Sequence, residues 1–173
     1  MIRLMKQAPY HGRVMYSETP VGQVGLVENG SSLTHLFFGS APEGLVEAET
    51  PLLVKASEQL REYFAGSRKN FDLPLAPFGT EFQRLVWGAV RDIPYGGTLT
   101  YGEVAEAIGH VRSFRAVGQA SHRNPLAIII PCHRVVGRGG ELTGYGGGLE
   151  VKEYLLRLEQ DVVCGRARSC PED

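Results

Sequence analysis

Short apolar runs punctuated by turn residues fill the first part of the chain, and apolar positions at helical spacing take over later. Val14-Met-Tyr-Ser17, Gln23-Val-Gly-Leu-Val27 and Leu33-Thr-His-Leu-Phe-Phe38 read as a meander of short strands, broken by a Thr19-Pro-Val-Gly22 turn and an Asn29-Gly30 turn. Leu53, Ala56, Leu60, Tyr63 and Phe64 then recur with the period of a helix, and Gly66 stops the pattern. Phe71-Asp-Leu-Pro-Leu75 reads as an edge strand or an extended linker, because Pro74 has no N–H to give to a ladder.

From Gly79 onward the chain carries explicit helix starts. Thr80-Glu-Phe-Gln83 is a capping box, followed by an apolar face of Phe82, Leu85, Val86 and Val90 that ends at Ile93-Pro-Tyr-Gly-Gly97. A second box, Thr100-Tyr-Gly-Glu103, opens a short helix with Val104, Ala105 and Ile108, closed by Gly109. Ser113 is placed to cap a third helix, Phe114 to about His122, with Ala116, Val117 and Ala120 inward and Asn124-Pro125 at its end. Two short helices joined by a tight glycine-containing turn predict a helix-turn-helix. A last helix, about Glu150 to Gln160, puts Val151, Tyr154, Leu155 and Leu158 on one face. The expected organisation is two small domains, residues 1–76 and 77–161, and a tail over 162–173.

Bulk composition changes this picture little. The 173 residues are 43% hydrophobic and 21% charged, with 18 Lys+Arg against 19 Asp+Glu and a net charge of −1, which excludes a polybasic nucleic-acid binder. The longest aliphatic run, Leu126-Ala-Ile-Ile-Ile130, which reads as a buried strand, is far short of the ~20 residues of a membrane span. Met1-Ile-Arg-Leu-Met-Lys6 has no apolar signal-like core, so a soluble cytoplasmic chain without a membrane partner is expected. Local charge is another matter. Between Glu106 and Glu141 no acid occurs, while Arg112, Arg115, Arg123, Arg134, Arg138, His110, His122 and His133 do. An acid-free basic stretch over a helix-turn-helix suits phosphate contact; the alternative is a solvated arginine face. Gly118, inside the third helix, fits a backbone that lies close to DNA or to another helix.

Cysteine usage singles out one residue. Cys132, Cys164 and Cys170 are too few for a disulfide framework, and the last two sit in a polar tail where they can pair or stay free. Cys132 follows Pro131 and precedes His133-Arg134, cationic surroundings that lower a thiol pKa. Adjacent side chains in extended backbone point to opposite sides, so a proton would pass from Cys132 to His133 through a water, with an acid elsewhere orienting the imidazole. That arrangement disfavours a protease-like dyad. Gly144-Tyr-Gly-Gly-Gly148 lacks the full spacing of a dinucleotide loop.

Pro131-Cys-His-Arg-Val135, with Arg115-Ala-Val-Gly118, Asn124-Pro125, Gly144-Tyr-Gly-Gly-Gly148 and Leu155-Leu-Arg-Leu-Glu159, resembles the O6-alkylguanine-DNA alkyltransferases. The resemblance runs in motif order from Thr80 to Glu159 and more weakly through the N-terminal meander and helix. It implies an α/β (α+β) fold, a small RNase H-like N-terminal domain before a mostly helical domain with a winged or helix-turn-helix DNA-binding motif. It also implies a DNA-repair methyltransferase that needs no cofactor. Such a protein moves the alkyl group of O6-alkylguanine, and by extension O4-alkylthymine, to its own cysteine once and irreversibly.

Carried over by motif, Cys132 would be the acceptor, Glu159 would orient His133, His133 would take the thiol proton through water, and Asn124 would hold the turn beside the thiol. Tyr101 would donate toward guanine N3. The carbonyls of Cys132 and Val135 would accept from the guanine amino group, with Tyr145 and Gly146 forming the pocket wall. Arg115 would fill the space left by a flipped nucleotide, the helix-turn-helix entering the minor groove of duplex DNA. Gly102, His110, Ser113, Gly118 and Arg138 would lie near the DNA, and the protein would be a monomer in its absence. Phe114 and Ser121-His-Arg123 depart from the family's pattern on or beside the recognition helix. No metal site is expected: the N-terminal zinc of some relatives lacks ligands in this chain, since that region has only His11 and His35 and no cysteine. Rival readings are a silent lesion binder, which Cys132 opposes, a multiple-turnover cysteine hydrolase, and a sensor-type regulator.

Overall fold

The computed structural model describes residues 11–166. Strands β1 (Arg13–Thr19), β2 (Gly22–Glu28) and β3 (Leu33–Phe38) form the expected antiparallel meander. A two-residue strand, β4 (Val46–Glu47), joins β1 in parallel, giving the order β3-β2-β1-β4. It is too short to carry a periodic signal. Helix α1 (Pro51–Phe64) starts where the Thr50 hydroxyl accepts from Leu53 N–H and proline occupies the first turn, and it stops before Gly66 at φ 77°. The 71–75 segment is extended linker, with a single bridge from Leu75 to Leu33.

Both predicted capping boxes form. They open α2 (Glu81–Arg91) at Thr80 and α3 (Tyr101–Ala107) at Thr100. Helix α4 (Phe114–His122) completes the helix-turn-helix, and the Trp87 indole N–H donates to Ala120 O at 2.9 Å, locking α2 to α4. Two local expectations fail in α4. Ser113 is the N-cap residue but its hydroxyl makes no capping bond, and Ala116 faces solvent instead of the core. The helix ending the fold, α5 (Leu149–Val163), overruns its expected bounds by a residue at the start and three at the end.

Residues 126–130 are not a strand. They form a compact turn with Ile129 N–H on Ala127 O and Ile130 N–H on Leu126 O. Next comes one 3-10 turn, Cys132–Arg134, so the extended backbone expected between Cys132 and His133 is also corrected. Strand β6 (Val135–Val136) then pairs in parallel with β5 (Leu99–Thr100), binding the cysteine segment to the start of the helix-turn-helix.

One continuous core spans both halves, joining Leu26, Leu36, Leu53 and Tyr63 to Trp87, Val117, Leu126, Ile130 and Leu155. Leu36 N–H donates to Pro125 O at 2.8 Å, so the N-terminal sheet directly braces the turn that leads to Cys132. Among the described residues no helix is long and apolar enough to cross a membrane.

Candidate active site

Asn124 builds the turn with one side chain. Its Oδ1 accepts from Leu126 N–H at 3.0 Å, and its Nδ2 donates to Ile130 O at 2.8 Å and toward Cys132 Sγ at 3.1 Å. A single amide thus closes the loop and fixes the sulfur. Within it the buried Ile128 sits at φ 71°, a left-handed backbone on a β-branched residue, between turn hydrogen bonds of its neighbours. Such strain costs about 1–3 kcal/mol and collects at functional sites.

Cys132 retains 7% exposure at the end of this turn. Burial pushes its thiol pKa up, while the Asn124 N–H and the Lys152 charge pull it down. Net, the resting group is a thiol, so reaction requires a base. His133 is next in the chain and wholly buried. Its Nε2 lies 2.7 Å from Glu159 Oε1.

Glu159 settles the direction of that hydrogen bond. Burial opposes its charge, but hydrogen bonds from His133 and Arg134, together with the Arg134 positive charge, hold its pKa at about 2. An ionised carboxylate only accepts, so Nε2 carries the proton and Nδ1 presents its lone pair. Nδ1 is buried and makes no hydrogen bond within the described residues. Burial also lowers the His133 pKa, against the upward pull of Glu159 and with Arg134 and Lys152, so the imidazole rests neutral and basic.

Arg134, grouped by charge with the outward-facing cations, is corrected by the structure. Its Nε and Nη2 reach the two Glu159 oxygens at 2.9 and 3.0 Å, and its Nη1 donates to Ile93 O at 2.7 Å. Charge counting cannot see a partner 25 residues away. Lys152 escapes sequence reasoning altogether. It is buried on α5, where its ammonium donates to Val135 O at 2.7 Å and Thr143 O at 3.0 Å. It therefore pins β6 to the loop after it. An amphipathic pattern assigns a lysine to water, so nothing local marks this one.

Tyr145 is buried with its ring edge-on to His133, 6.4 Å between centroids, and to Phe38 of β3 at 5.8 Å. A Cβ on Gly147 would lie 3.0 Å from the Phe38 ring, which accounts for glycine there, whereas Gly146 is open to solvent. Tyr101 is half-buried; its hydroxyl is 2.7 Å from Thr143 Oγ1 and its ring lies where a Gly118 Cβ would meet it at 3.7 Å. That is ordinary contact distance, so packing against Tyr101 does not by itself require glycine at 118. The Val135 N–H donates to Cys132 O.

The helix-turn-helix face keeps Arg112, Arg115, Arg123, Arg138, His110 and His122 exposed. Gly102 lies half-buried in the first turn of α3. The Arg115 guanidinium stands 5.7 Å from the Phe114 ring, and His110 packs edge-on against Phe82 at 5.4 Å. Clefts of about 470 Å³ beside Ser57 and Arg61 and about 320 Å³ beside Asp92 and Thr98 contain none of these groups. Cys164 is exposed at the end of α5, and Cys170 lies outside the described residues.

The relay makes the fold acid-sensitive. Glu159, at about 2 against its ordinary 4.5, stabilises the fold above pH 4.5, and that contribution is lost as pH falls toward 2. His133, held below 6.5, favours the fold above pH 6.5, and stability declines below it because only the unfolded imidazole takes a proton. The urea midpoint should therefore fall continuously as pH drops from neutrality through 4.5; a flat midpoint over that range would contradict an ionised Glu159 beside a neutral His133.

The 6-O-methylguanine DNA methyltransferase ribonuclease-like domain model matches residues 13–77, and the DNA binding domain model of the same family matches residues 81–161. The chain is 50% identical over 148 residues to a methylated-DNA–protein-cysteine methyltransferase of Methanosarcina acetivorans, covering 82% of this chain and 94% of the relative. It is 49% identical over 152 residues to that of Methanosarcina barkeri, covering 83% and 94%. Mycobacterium tuberculosis OGT, solved in complex with DNA, superposes with a TM-score of 0.81 at 43% identity, covering 88% of this chain and 94% of that one. With both of its domains matched and its motif cysteine set beside a His–Glu pair, the chain belongs to the 6-O-methylguanine DNA methyltransferase family.

Proposed function

We propose that the chain repairs duplex DNA by moving the alkyl group of an O6-alkylguanine onto Cys132, once per molecule. The observation that carries this is the Cys132 thiol held by Asn124 at 3.1 Å and followed by a neutral imidazole locked to an ionised Glu159 at 2.7 Å. His133 Nδ1 takes the thiol proton, through a water where the direct approach is too long. The thiolate attacks the O6-alkyl carbon, the S–C bond forms and the C–O6 bond breaks. Charge left on the guanine is met by a proton that Tyr101 delivers toward N3, and the thioether is permanent. No cofactor takes part in these steps.

A sulfur at the end of a buried turn is reached only by a base outside its stack, so the nucleotide is flipped, with Arg115 filling its place from the minor-groove side. Gly102, Ser113, Gly118 and Arg138 line the DNA, while Tyr145 and Gly146 form the pocket wall beside the Val135 carbonyl. The relative solved with DNA supports DNA as partner. Each chain has its own acceptor and one helix-turn-helix, so a monomer suffices before DNA is met. An acceptor that must stay reduced suits the cytoplasm.

The test is transfer from a duplex carrying methyl-labelled O6-methylguanine in molar excess. Label should move to protein and stop at one methyl per chain; continued turnover would favour a hydrolase, and no transfer a silent binder. Arg115→Ala should slow transfer from duplex by ~10-fold or more and from free O6-benzylguanine by under about 2-fold. Equal losses on both substrates would remove Arg115 from the flipping step.

A further inference from the structure

We propose that Tyr63, supplied by α1 of the N-terminal half, is a positioning residue for the Cys132 reaction, its hydroxyl holding Glu159 and thereby setting the proton affinity of His133. This rests on the reading of Cys132 as acceptor and His133 as its base, and adds a residue from the other half of the molecule.

Tyr63 is fully buried, and its hydroxyl donates to Glu159 Oε1 at 2.7 Å across 96 residues of sequence. The phenol oxygen also lies 3.4 Å from His133 Nε2, a much longer contact than the 2.7 Å between that nitrogen and the carboxylate. Burial and the neighbouring Glu159 charge push the phenol pKa well above its ordinary 10, so it stays protonated and is a permanent donor. Rings of Phe64, Phe71 and Tyr95 pack around it, with centroids 5.4 to 5.9 Å away.

The consequence lies in how the Glu159 charge is shared. Oε1 accepts from His133, Tyr63 and Arg134, and Oε2 accepts from Arg134 and from Gly96 N–H at 3.0 Å. Each donor withdraws negative charge that would otherwise favour a second proton on His133. Arg134 and Gly96 already fix the carboxylate in place, so the phenol chiefly tempers its pull on the imidazole. The other ionisable groups facing His133 or its neighbour Cys132 among the described residues are Arg134, Lys152 and Tyr145, whose ring covers the imidazole. Tyr63→Phe removes one neutral donor and alters none of these.

The experiment is single-turnover transfer by full-length wild type and Tyr63→Phe, from methylated duplex and from free O6-benzylguanine, across the acid limb of the pH–rate profile. Loss of the phenol donor strengthens the pull of Glu159 and raises the His133 pKa, so the limb should move up by about 1 pH unit on both substrates. At a fixed pH below it, transfer should fall ~10-fold, with less than ~3-fold change on the plateau. An unmoved limb would overturn the proposal, whatever the variant does to stability. Nitrogen chemical shifts of His133 in wild type give a second reading that needs no variant: protonated Nε2 supports the arrangement, and protonated Nδ1 overturns it. Wild type that gains no alkyl group would instead overturn the acceptor reading beneath it.

Discussion

Cys132→Ser is expected to abolish methyl transfer while DNA binding persists. The hydroxyl occupies nearly the same volume and still meets the Asn124 amide 3.1 Å from the present sulfur position, so the turn survives. What disappears is an ionisable atom that a neutral imidazole can deprotonate, because only the thiolate is the nucleophile. On the proposed docking, binding rests on exposed cations elsewhere, Arg112, Arg115, Arg123 and Arg138 among them, and should keep its wild-type salt dependence. Electrophoretic shift of a methylated duplex, alongside label transfer, checks both halves. Transfer retained by the serine variant would move the acceptor to Cys164 or Cys170.

Glu159→Gln should be the most damaging single change to the fold as well as to the chemistry. Five donors converge on this carboxylate: the His133 imidazole, two guanidinium nitrogens of Arg134, the Tyr63 phenol and the Gly96 amide. A glutamine offers one acceptor oxygen, so its NH₂ must face at least one of those donors, and buried Arg134 loses its counter-charge. Breaking a buried pair from one side costs about 3–5 kcal/mol. Transfer should slow by ~10²–10⁴ as His133 loses the group that fixes its tautomer and supports its positive charge. Urea unfolding and single-turnover rates, taken where the variant remains folded, check this. Native stability together with a wild-type rate would show that the buried carboxylate does not drive the relay.

Features encoded within a few residues were legible in the sequence. The boxes at Thr80 and Thr100 and the hairpin turns each depend on neighbours in the chain, and the structure has them in place. Misreadings cluster where a side-chain partner outside the hydrophobic pattern decides. Five aliphatic residues at 126–130 look like a strand, yet the Asn124 amide bonds both ends of that segment and folds it into a turn. Arg134 and Lys152 look solvated, yet each finds acceptors that compensate for its burial. Tyr63 looks like one more apolar position of an amphipathic helix, and only the fold brings its hydroxyl to Glu159. The roles of Glu159 and Asn124 entered through family motifs; periodicity alone places Glu159 beside the apolar face of α5 and says nothing of what it meets.

The repair chemistry turns on a single sulfur being the terminus of alkyl transfer. Intact-protein mass after incubation with a duplex bearing O6-methylguanine, followed by mapping of the modified peptide, tests that directly. The expected result is a gain of one CH₂ per chain, confined to the peptide carrying Cys132, with the duplex restored to guanine. An unchanged mass, or the added CH₂ on any other residue, would contradict it.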